Sequence, residues 1–157
     1  MKYVVLLLTL LLLLPSCATQ DVCDDDNQSY MVTKFKTIED DGLIGDTILS
    51  GMTIYGIREG KADSLIYDSI SMSKAVLPLD PNNDITRFVL SNGISMDTVI
   101  LTHSSEVYLI NYTCGFGSRF SLEQYTSAWD WILELELREG KIDAELDTDE
   151  EHLWIYF

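Results

Sequence analysis

The sequence has few of the residues on which catalysis, metal binding and nucleic-acid recognition depend. Its 157 residues include two His, three Cys and ten Lys or Arg, against 26 Asp or Glu, so the formal charge is −16. The shortage of basic residues excludes nucleic-acid binding through phosphate contacts and argues against electrostatic docking on anionic lipids. A hydrophobic content of 46% excludes a wholly disordered acidic chain.

Catalytic motifs are also scarce. His103 and His152 are the two imidazoles, and neither stands at metal-ligand spacing from another ligand type. The sequence contains no Gly-x-Ser-x-Gly or His-Glu-x-x-His motif and no glycine loop for phosphate. Glu134 and Glu136 alternate regularly with Leu, which is typical of the wet side of a sheet. We therefore predict that the protein is not an enzyme and has no catalytic residues, metal or cofactor.

A long apolar run, residues 3–14, follows Lys2 near the N-terminus. Twelve residues are too few for a bilayer-spanning helix, which needs about 20, but they suit the apolar region of a signal peptide. The run leads into Leu14-Pro15-Ser16-Cys17, which resembles a bacterial lipobox. That resemblance implies cleavage before Cys17 and lipidation of its thiol. The alternative is an ordinary secretory signal that leaves Cys17 as a thiol.

Three segments follow from this interpretation. Residues 1–16 are the lipoprotein signal peptide, residues 17–28 are the lipidated Cys with a short acidic tether, and residues 29–157 are the folded domain. Removal of the signal takes away Lys2 and no acid, so the mature charge is −17. We expect several acyl chains to hold the protein stably at the outer membrane, on its periplasmic face or at the cell surface.

The remaining cysteines, Cys23 and Cys114, are expected in an oxidising compartment after export. A disulfide between them is the first expectation, and two buried free thiols are the alternative. The bond would place the folded domain close to the membrane, because the segment from Cys17 to Cys23 spans at most about 20 Å.

Strand signals fill the rest of the chain. Alternating or β-branched segments are separated by turn residues, and no long helical pattern is visible. Strands are predicted at residues 30–37, 52–57, 65–67, 70–77, 86–90, 98–102, 107–114, 129–137, 142–146 and 153–157. Short strands at this spacing indicate an all-β fold, an antiparallel β-sandwich of about 8–9 strands, immunoglobulin-like or similar.

Some of these assignments carry finer expectations. The clearest alternation places Trp129, Trp131, Leu133, Leu135 and Leu137 on one apolar face. In the predicted strand 107–114, the residues expected to face the core are Tyr108, Ile110, Tyr112 and Cys114.

Two further segments are predicted to lie outside strands. His103-Ser104-Ser105 is predicted as a turn. Residues 121–125 are predicted as one helical turn, with Ser121 as its N-cap.

Several short motifs follow Cys17 in a fixed order. They are Cys23, Tyr55-Gly56, Asp68-Ser69-Ile70, Leu77-Pro78-Leu79-Asp80, Phe88, Asp97-Thr98, Tyr112, Cys114-Gly115-Phe116 and His152. This order resembles a family of uncharacterised Bacteroidota lipoproteins defined by a domain of unknown function. The resemblance covers most of residues 17–157. It implies a compact β-rich domain of the cell envelope, and it implies no reaction.

Four tripeptides fit an Asp-Ser/Thr-apolar pattern that resembles the O-glycosylation site of exported Bacteroidota proteins. Their hydroxyl residues are Thr47, Ser64, Ser69 and Thr98. The alternative is that each Asp-Ser or Asp-Thr pair caps a loop before a strand.

The leading functional hypothesis is a lipid-anchored, non-enzymatic structural or interaction module with an envelope protein as partner. The second is a carbohydrate- or ligand-binding sandwich, because three Trp and eight Tyr supply flat aromatic rings.

Overall fold

The structure, a computed structural model, describes residues 29–40, 42–58, 60–128, 130–143 and 149–157. These residues contain eleven β-strands and no helix. The strands are β1 (Tyr30–Ile38), β2 (Ile44–Asp46), β3 (Leu49–Ile57), β4 (Ser64–Met72), β5 (Lys74–Pro78), β6 (Ile85–Ser91), β7 (Met96–Asn111), β8 (Gly115–Ser127), β9 (Glu134–Leu137), β10 (Lys141–Ile142) and β11 (Leu153–Tyr156). The predicted all-β class is confirmed.

The first sheet has five strands in the order β2-β1-β11-β9, with β5 also paired to β1. One edge of β1 pairs with β5 over Tyr30–Lys34 and then with β2 over Lys36–Ile38. Its other edge pairs with β11 in parallel. The prediction of a purely antiparallel fold is therefore wrong, because the last strand of the chain returns beside the first in the same direction.

The second sheet is antiparallel throughout, with six strands in the order β10-β8-β7-β6-β3-β4. The chain passes from this sheet to the first between β4 and β5, between β8 and β9 and between β10 and β11, and the first of these passages is at Ser73. The carbonyl of Ser73 accepts the backbone N–H of Phe35 at 2.9 Å, which ties the crossing point to β1.

The apolar faces of both sheets meet in one core. β1 contributes Met31 and Phe35, β6 contributes Phe88 and Leu90, and β11 contributes its own alternate apolar residues. Each of these strands buries every second side chain on the core side, as period-2 geometry requires. Burial of aromatic and aliphatic side chains at this density is the main stabilising contribution, about 1.5–3 kcal/mol for each large one.

Two long strands replace several shorter predicted pieces. β7 runs without interruption through His103, Ser104 and Ser105, so the predicted turn there is wrong. β8 covers residues 121–125, so the predicted helical turn is wrong as well. The β7–β8 pairing shifts register here, because Thr102 pairs with Gln124 and His103 with Leu122, which leaves Glu123 as an extra residue in β8. This bulge breaks the alternation of β8 within residues 121–125, whereas β7 keeps its alternation through His103.

The hairpin between β7 and β8 also contradicts the predicted core face. Tyr112 is 98% exposed in the turn, and Tyr108, Ile110 and Cys114 are half-buried rather than core residues. Tyr108 alternates with the core-facing series of Val99, Leu101 and His103, so it lies on the outer face of β7, and Tyr112 and Cys114 belong to the turn.

The C-terminal strands are shorter than predicted. β9 covers only Glu134–Leu137, and Leu133 is exposed, while Leu135 is buried and Trp131 and Leu137 are half-buried. The predicted strand 142–146 is β10 at its first residue only, and residues 144–148 lie outside the described part of the chain.

Candidate functional site

A cleft of about 620 Å³ opens where β3 ends and β6 begins. Its buried members include Leu79, Thr86 and Phe88. The charged and amide residues that line it are Arg58, Lys61, Asp80, Asn82, Asn83, Asp84 and Arg87. This volume is typical of small-molecule sites, and the lining combines an apolar floor with polar groups of both charge signs.

The β5–β6 connection forms one wall of the cleft. Asp80 Oδ1 accepts the backbone N–H of Asn82 at 2.9 Å, and Oδ2 accepts Asn83 Nδ2 at 2.7 Å. Burial disfavours ionisation of Asp80, but these hydrogen bonds and nearby Lys61 outweigh it and lower the pKa of the carboxyl. Asp80 is therefore an anion at neutral pH, so it can bind a cation or accept hydrogen bonds but not donate a proton.

His103 lies behind the cleft rather than in it. Its ring is 1% exposed, and Nε2 lies 2.8 Å from the hydroxyl oxygen of Thr86, which also accepts the N–H of Asp80 at 3.2 Å. The ring packs edge-on against Phe120, with 5.1 Å between centroids. Burial lowers the pKa of His103 despite nearby acids, so the imidazole is held neutral at pH 7.

His152 extends the backbone ladder between β1 and β11. Its Nδ1 accepts the N–H of Val32 at 3.0 Å, and its own N–H donates to the carbonyl of Val32 at 2.9 Å. The ring is 3% exposed, and burial lowers its pKa although Glu150 and Glu139 act in the opposite direction. Both imidazoles thus have structural roles.

We predict that these two histidines destabilise the fold as the pH falls from 7 to 5. A lowered folded-state pKa means that the unfolded chain takes up protons first, so stability is complete above the ordinary value of 6.5 and is lost below it. The double variant His103→Gln/His152→Asn keeps one polar atom at each site and does not titrate. Between pH 7 and pH 5, the melting temperature should fall less for the double variant than for the wild type. An equal fall of the melting temperature in both proteins would contradict the assigned roles of the two histidines.

Asp97 at the start of β7 organises the chain between the two sheets. It is 2% exposed, and Oδ1 accepts the backbone N–H groups of Thr98 at 2.7 Å and Ala128 at 2.9 Å. Oδ2 accepts three more, from Asp130, Trp131 and Ile132, at 3.0–3.1 Å. Burial opposes the charge, but these backbone donors outweigh it and lower the pKa of Asp97.

The outer face of the five-stranded sheet carries a charged network around Trp154. The Nζ of Lys36 lies 3.9 Å and the Cζ of Arg138 lies 4.1 Å from the ring centroid, and each comes from a strand or turn flanking β11. The indole N–H donates to Glu151. Tyr156 donates to Glu136, and burial, followed by this bond, raises the pKa of Tyr156 to about 12.

This network bears on the aromatic surface expected for carbohydrate binding. The ring of Trp154 is occupied by cations, and Trp131 packs on Phe157 with 4.5 Å between ring centroids. Both indoles are half-buried. Trp129 lies outside the described residues. The two described indoles are therefore not flat platforms open to solvent.

The predicted modification sites are distributed over the molecule. Ser69 is exposed on the edge strand β4 and has a positive φ of 50°, whereas Thr47, Ser64 and Thr98 are half-buried. Because Asp97 is committed to backbone donors, the Asp97-Thr98 pair has a structural role independent of a glycan. Glycan occupancy at all four residues stays a prediction.

Of the predicted cysteine sites, Cys17 and Cys23 lie outside the described residues. Cys114 is half-buried in the β7–β8 turn, where its N–H donates to Asn111 Oδ1 at 2.7 Å. The lipidation and the disulfide stay predictions.

Sequence reasoning missed the residues that assemble the cleft and those that Asp97 binds. Both sets come from distant segments, so no local spacing identifies them.

A Ser-x-x-Lys spacing, Ser71 to Lys74, was also present in the sequence. In the structure it spans the step from β4 to β5, not the helical turn that brings Ser and Lys together in enzymes that use it.

Within the described ranges, no three or more His, Cys, Asp or Glu residues are grouped so that they could hold a metal ion. None of the described elements is a helix long and apolar enough to cross a membrane.

Comparison with protein-family models gives a match. Residues 51–157, more than half of the chain, match a family model described as a family of unknown function (DUF6452). The match spans the cleft, Asp97 and the β7–β8 hairpin. It agrees with the resemblance to a domain of unknown function. No curated protein and no solved structure matches the chain.

Proposed function

We propose that this chain, which belongs to the DUF6452 family of unknown function, is a lipid-anchored protein of the bacterial outer membrane. Its two-sheet domain acts without catalysis, as a structural or protein-interaction module. The observation that carries the proposal is Leu14-Pro15-Ser16-Cys17 directly after the apolar run. Cleavage before Cys17 and acylation would leave twelve residues between the lipid and Ser29, where the described domain begins.

The contacts of Ser29, the first described residue, support a short tether between the lipid and the folded domain. Ser29 is 1% exposed, and its hydroxyl donates to the carbonyl of Ser118 in β8. Ser118 is four residues from Cys114, and Cys23 is six residues before Ser29, a separation of at most about 20 Å. A Cys23–Cys114 disulfide is therefore within reach, and it would bring the hairpin and the anchor together.

The hydrogen bonds and burial of four ionisable side chains, Asp80, Asp97, His103 and His152, support a role without catalysis. A general acid or base needs a pKa near the working pH and an atom that reaches the substrate. Asp80 and Asp97 are held as anions by hydrogen bonds, and His103 and His152 are buried in structural contacts. Each of these groups stabilises the fold in its observed state.

The anchor is tested by a pair of cysteine variants expressed in the native envelope. Cys17→Ser should abolish incorporation of labelled palmitate and leave unprocessed precursor. The matched control Cys23→Ser should incorporate palmitate as the wild type does, because it lies outside the lipobox. Normal labelling of Cys17→Ser would contradict the proposal.

The interaction role is tested by crosslinking in intact cells, followed by purification in detergent. We expect an envelope protein in stoichiometric amount, because the domain carries no reaction of its own in this proposal. Repeated recovery of the chain alone would contradict the interaction role and leave the anchor untouched.

A second candidate, ligand binding at the cell surface, is favoured by the cleft rather than by the Trp residues. The cleft gathers Arg58, Lys61 and Arg87, three of the ten basic residues of an otherwise acidic chain. A ligand with carboxylate or hydroxyl groups, such as an acidic sugar, suits this lining. Arg58→Glu should weaken binding of glucuronic acid, measured by calorimetry, by about tenfold or more, and Lys141→Glu, outside the cleft, should not. Equal affinities of the two variants for glucuronic acid would exclude the cleft as the binding site.

A further inference from the structure

The tip of the β7–β8 hairpin differs in composition from the rest of the chain. Residues 107–118 contain no charged side chain, although the chain has 36 Asp, Glu, Lys and Arg residues in total. The uncharged stretch is bounded by Glu106 and Arg119, which stand opposite each other in the pairing of β7 and β8. The boundary of the tip is therefore the same on both strands.

The tip exposes large apolar side chains. Val107 is 69%, Leu109 44%, Phe116 67% and Tyr112 98% exposed. Leu109 and Phe116 are direct cross-strand partners, and Val107 shares their face because side chains alternate along a strand. Val107, Leu109 and Phe116 thus share one apolar face, and Tyr112 is exposed in the turn that ends it; these four residues are here called the hairpin patch.

The hairpin patch continues the core-facing side of the six-stranded sheet. Phe120, four residues beyond Phe116 on the same face of β8, is 1% exposed in the core. The hairpin thus extends past the part of the structure that covers Phe120. An apolar overhang of this kind costs solvation free energy unless something covers it.

We infer that the hairpin patch contacts the lipid–water interface of the membrane in which the Cys17 lipid is inserted. This inference rests on the proposed anchor. The chain enters the described structure at Ser29, bonded to Ser118 at the base of the uncharged tip. Eleven residues separate Cys17 from Ser29, and the twelve Cα–Cα steps span at most about 40 Å, so the tether keeps this end of the molecule near the bilayer.

The chemistry of the tip fits this occupant better than a second copy of the chain. Tyr and Phe favour the interfacial region, where an apolar ring and a polar hydroxyl are both accommodated. Two mature copies that each carry −17 repel one another. In addition, four side chains cover less than the roughly 800 Å² per partner that a stable interface buries.

The test places one extra Trp at either end of β7 in the full-length lipidated protein, reconstituted into vesicles of brominated phosphatidylcholine. Tyr112→Trp puts it in the tip, and the control Ile94→Trp puts it in the β6–β7 turn, where Ile94 is 95% exposed. Sixteen residues of β7 separate the two turns by about 50 Å. Both replaced side chains are almost fully exposed, so neither variant should disturb folding.

We expect bromolipid to quench the added emission of Tyr112→Trp at least about twofold more than that of Ile94→Trp, after subtraction of the wild-type signal. A further change, Phe116→Asp in the Tyr112→Trp protein, should reduce the quenching to the Ile94→Trp level, because a charge at the patch opposes insertion. Equal quenching of the two Trp variants would overturn the inference, and crosslinking of the tips of two copies would assign the patch to a dimer instead.

The same vesicles separate failure of this inference from failure of the anchor. If the proteins do not float with the vesicles, the proposed lipid at Cys17 is wrong and the hairpin inference falls with it. If they float and bromolipid does not distinguish Tyr112 from Ile94, the anchor stands and only the hairpin inference is wrong.

Discussion

Replacement of Asp97 with alanine is expected to lower the free energy of unfolding by about 2–4 kcal/mol. The carboxylate is buried and accepts five backbone N–H groups, so its removal leaves several buried donors without an acceptor. The affected segment, which begins at Ala128, carries the chain from β8 in one sheet to β9 in the other. Urea or thermal unfolding of the purified domain measures the loss, and roughly a 10 °C lower melting temperature is expected.

The matched control is Asp130→Ala, in the same segment. The Asp130 side chain is exposed and only its backbone N–H contacts Asp97, so this variant should change stability by less than about 0.5 kcal/mol. If Asp97→Ala unfolds at the same temperature as Asp130→Ala, the backbone donors find other acceptors and the assigned role is wrong.

Asp97 also makes the stability of the fold depend on pH under acidic conditions. Its folded-state pKa is lowered below the ordinary 3.8, so its contribution is complete above that value. The contribution is lost as the pH falls below 3.8 towards the folded-state pKa. Asp97→Asn should remove this part of the acid dependence as well as lower stability at pH 7.

The second large effect is expected at the predicted disulfide. In an oxidised preparation, Cys114→Ser should cost roughly 4–5 kcal/mol, because a loop of about 90 residues would no longer be closed in the unfolded chain. Cys23→Ser should cost the same, since either variant removes the bond. Chemical denaturation of each variant measures this loss.

The control for the disulfide prediction is reduction of the wild type. Dithiothreitol should lower the stability of the wild type to that of Cys114→Ser and leave the variant unchanged. If the wild type keeps its stability under reduction, the two cysteines are not paired, and the alternative of buried free thiols applies.

Alternation predicted the strands whose inner side is covered by the second sheet. β1, β3, β6 and β11 were found close to their predicted bounds, because every second side chain packs in the core there. The same reasoning failed in the β7–β8 hairpin, where the alternating series that begins at Tyr108 lies on the outer face of β7 and Tyr112 belongs to the turn. Local periodicity indicates that a segment is a strand, whereas burial of a given side chain depends on which face of the strand it occupies and on where the opposite sheet ends.

The residues of the candidate site were harder to predict from the sequence, because they come together only through contacts between distant segments. In the sequence, Asp97 fits an Asp-Thr modification pattern, and nothing local indicates its partners at Ala128 and beyond, which are about 30 residues away and contribute backbone atoms only. The cleft likewise joins Arg58 to Asn83 through strand pairing. The β1–β11 parallel pair joins the two ends of the domain, and a short-range pattern does not predict such a contact.

The central claim, a lipid anchor at Cys17, is tested most directly by the intact mass of the protein extracted in detergent from its native membrane. The account predicts a chain that begins at Cys17 and carries the mass of a diacylglyceryl group plus an amide-linked acyl chain, with a two-hydrogen deficit that disappears on reduction. A chain that begins elsewhere, or one that begins at Cys17 without added lipid mass, would contradict it.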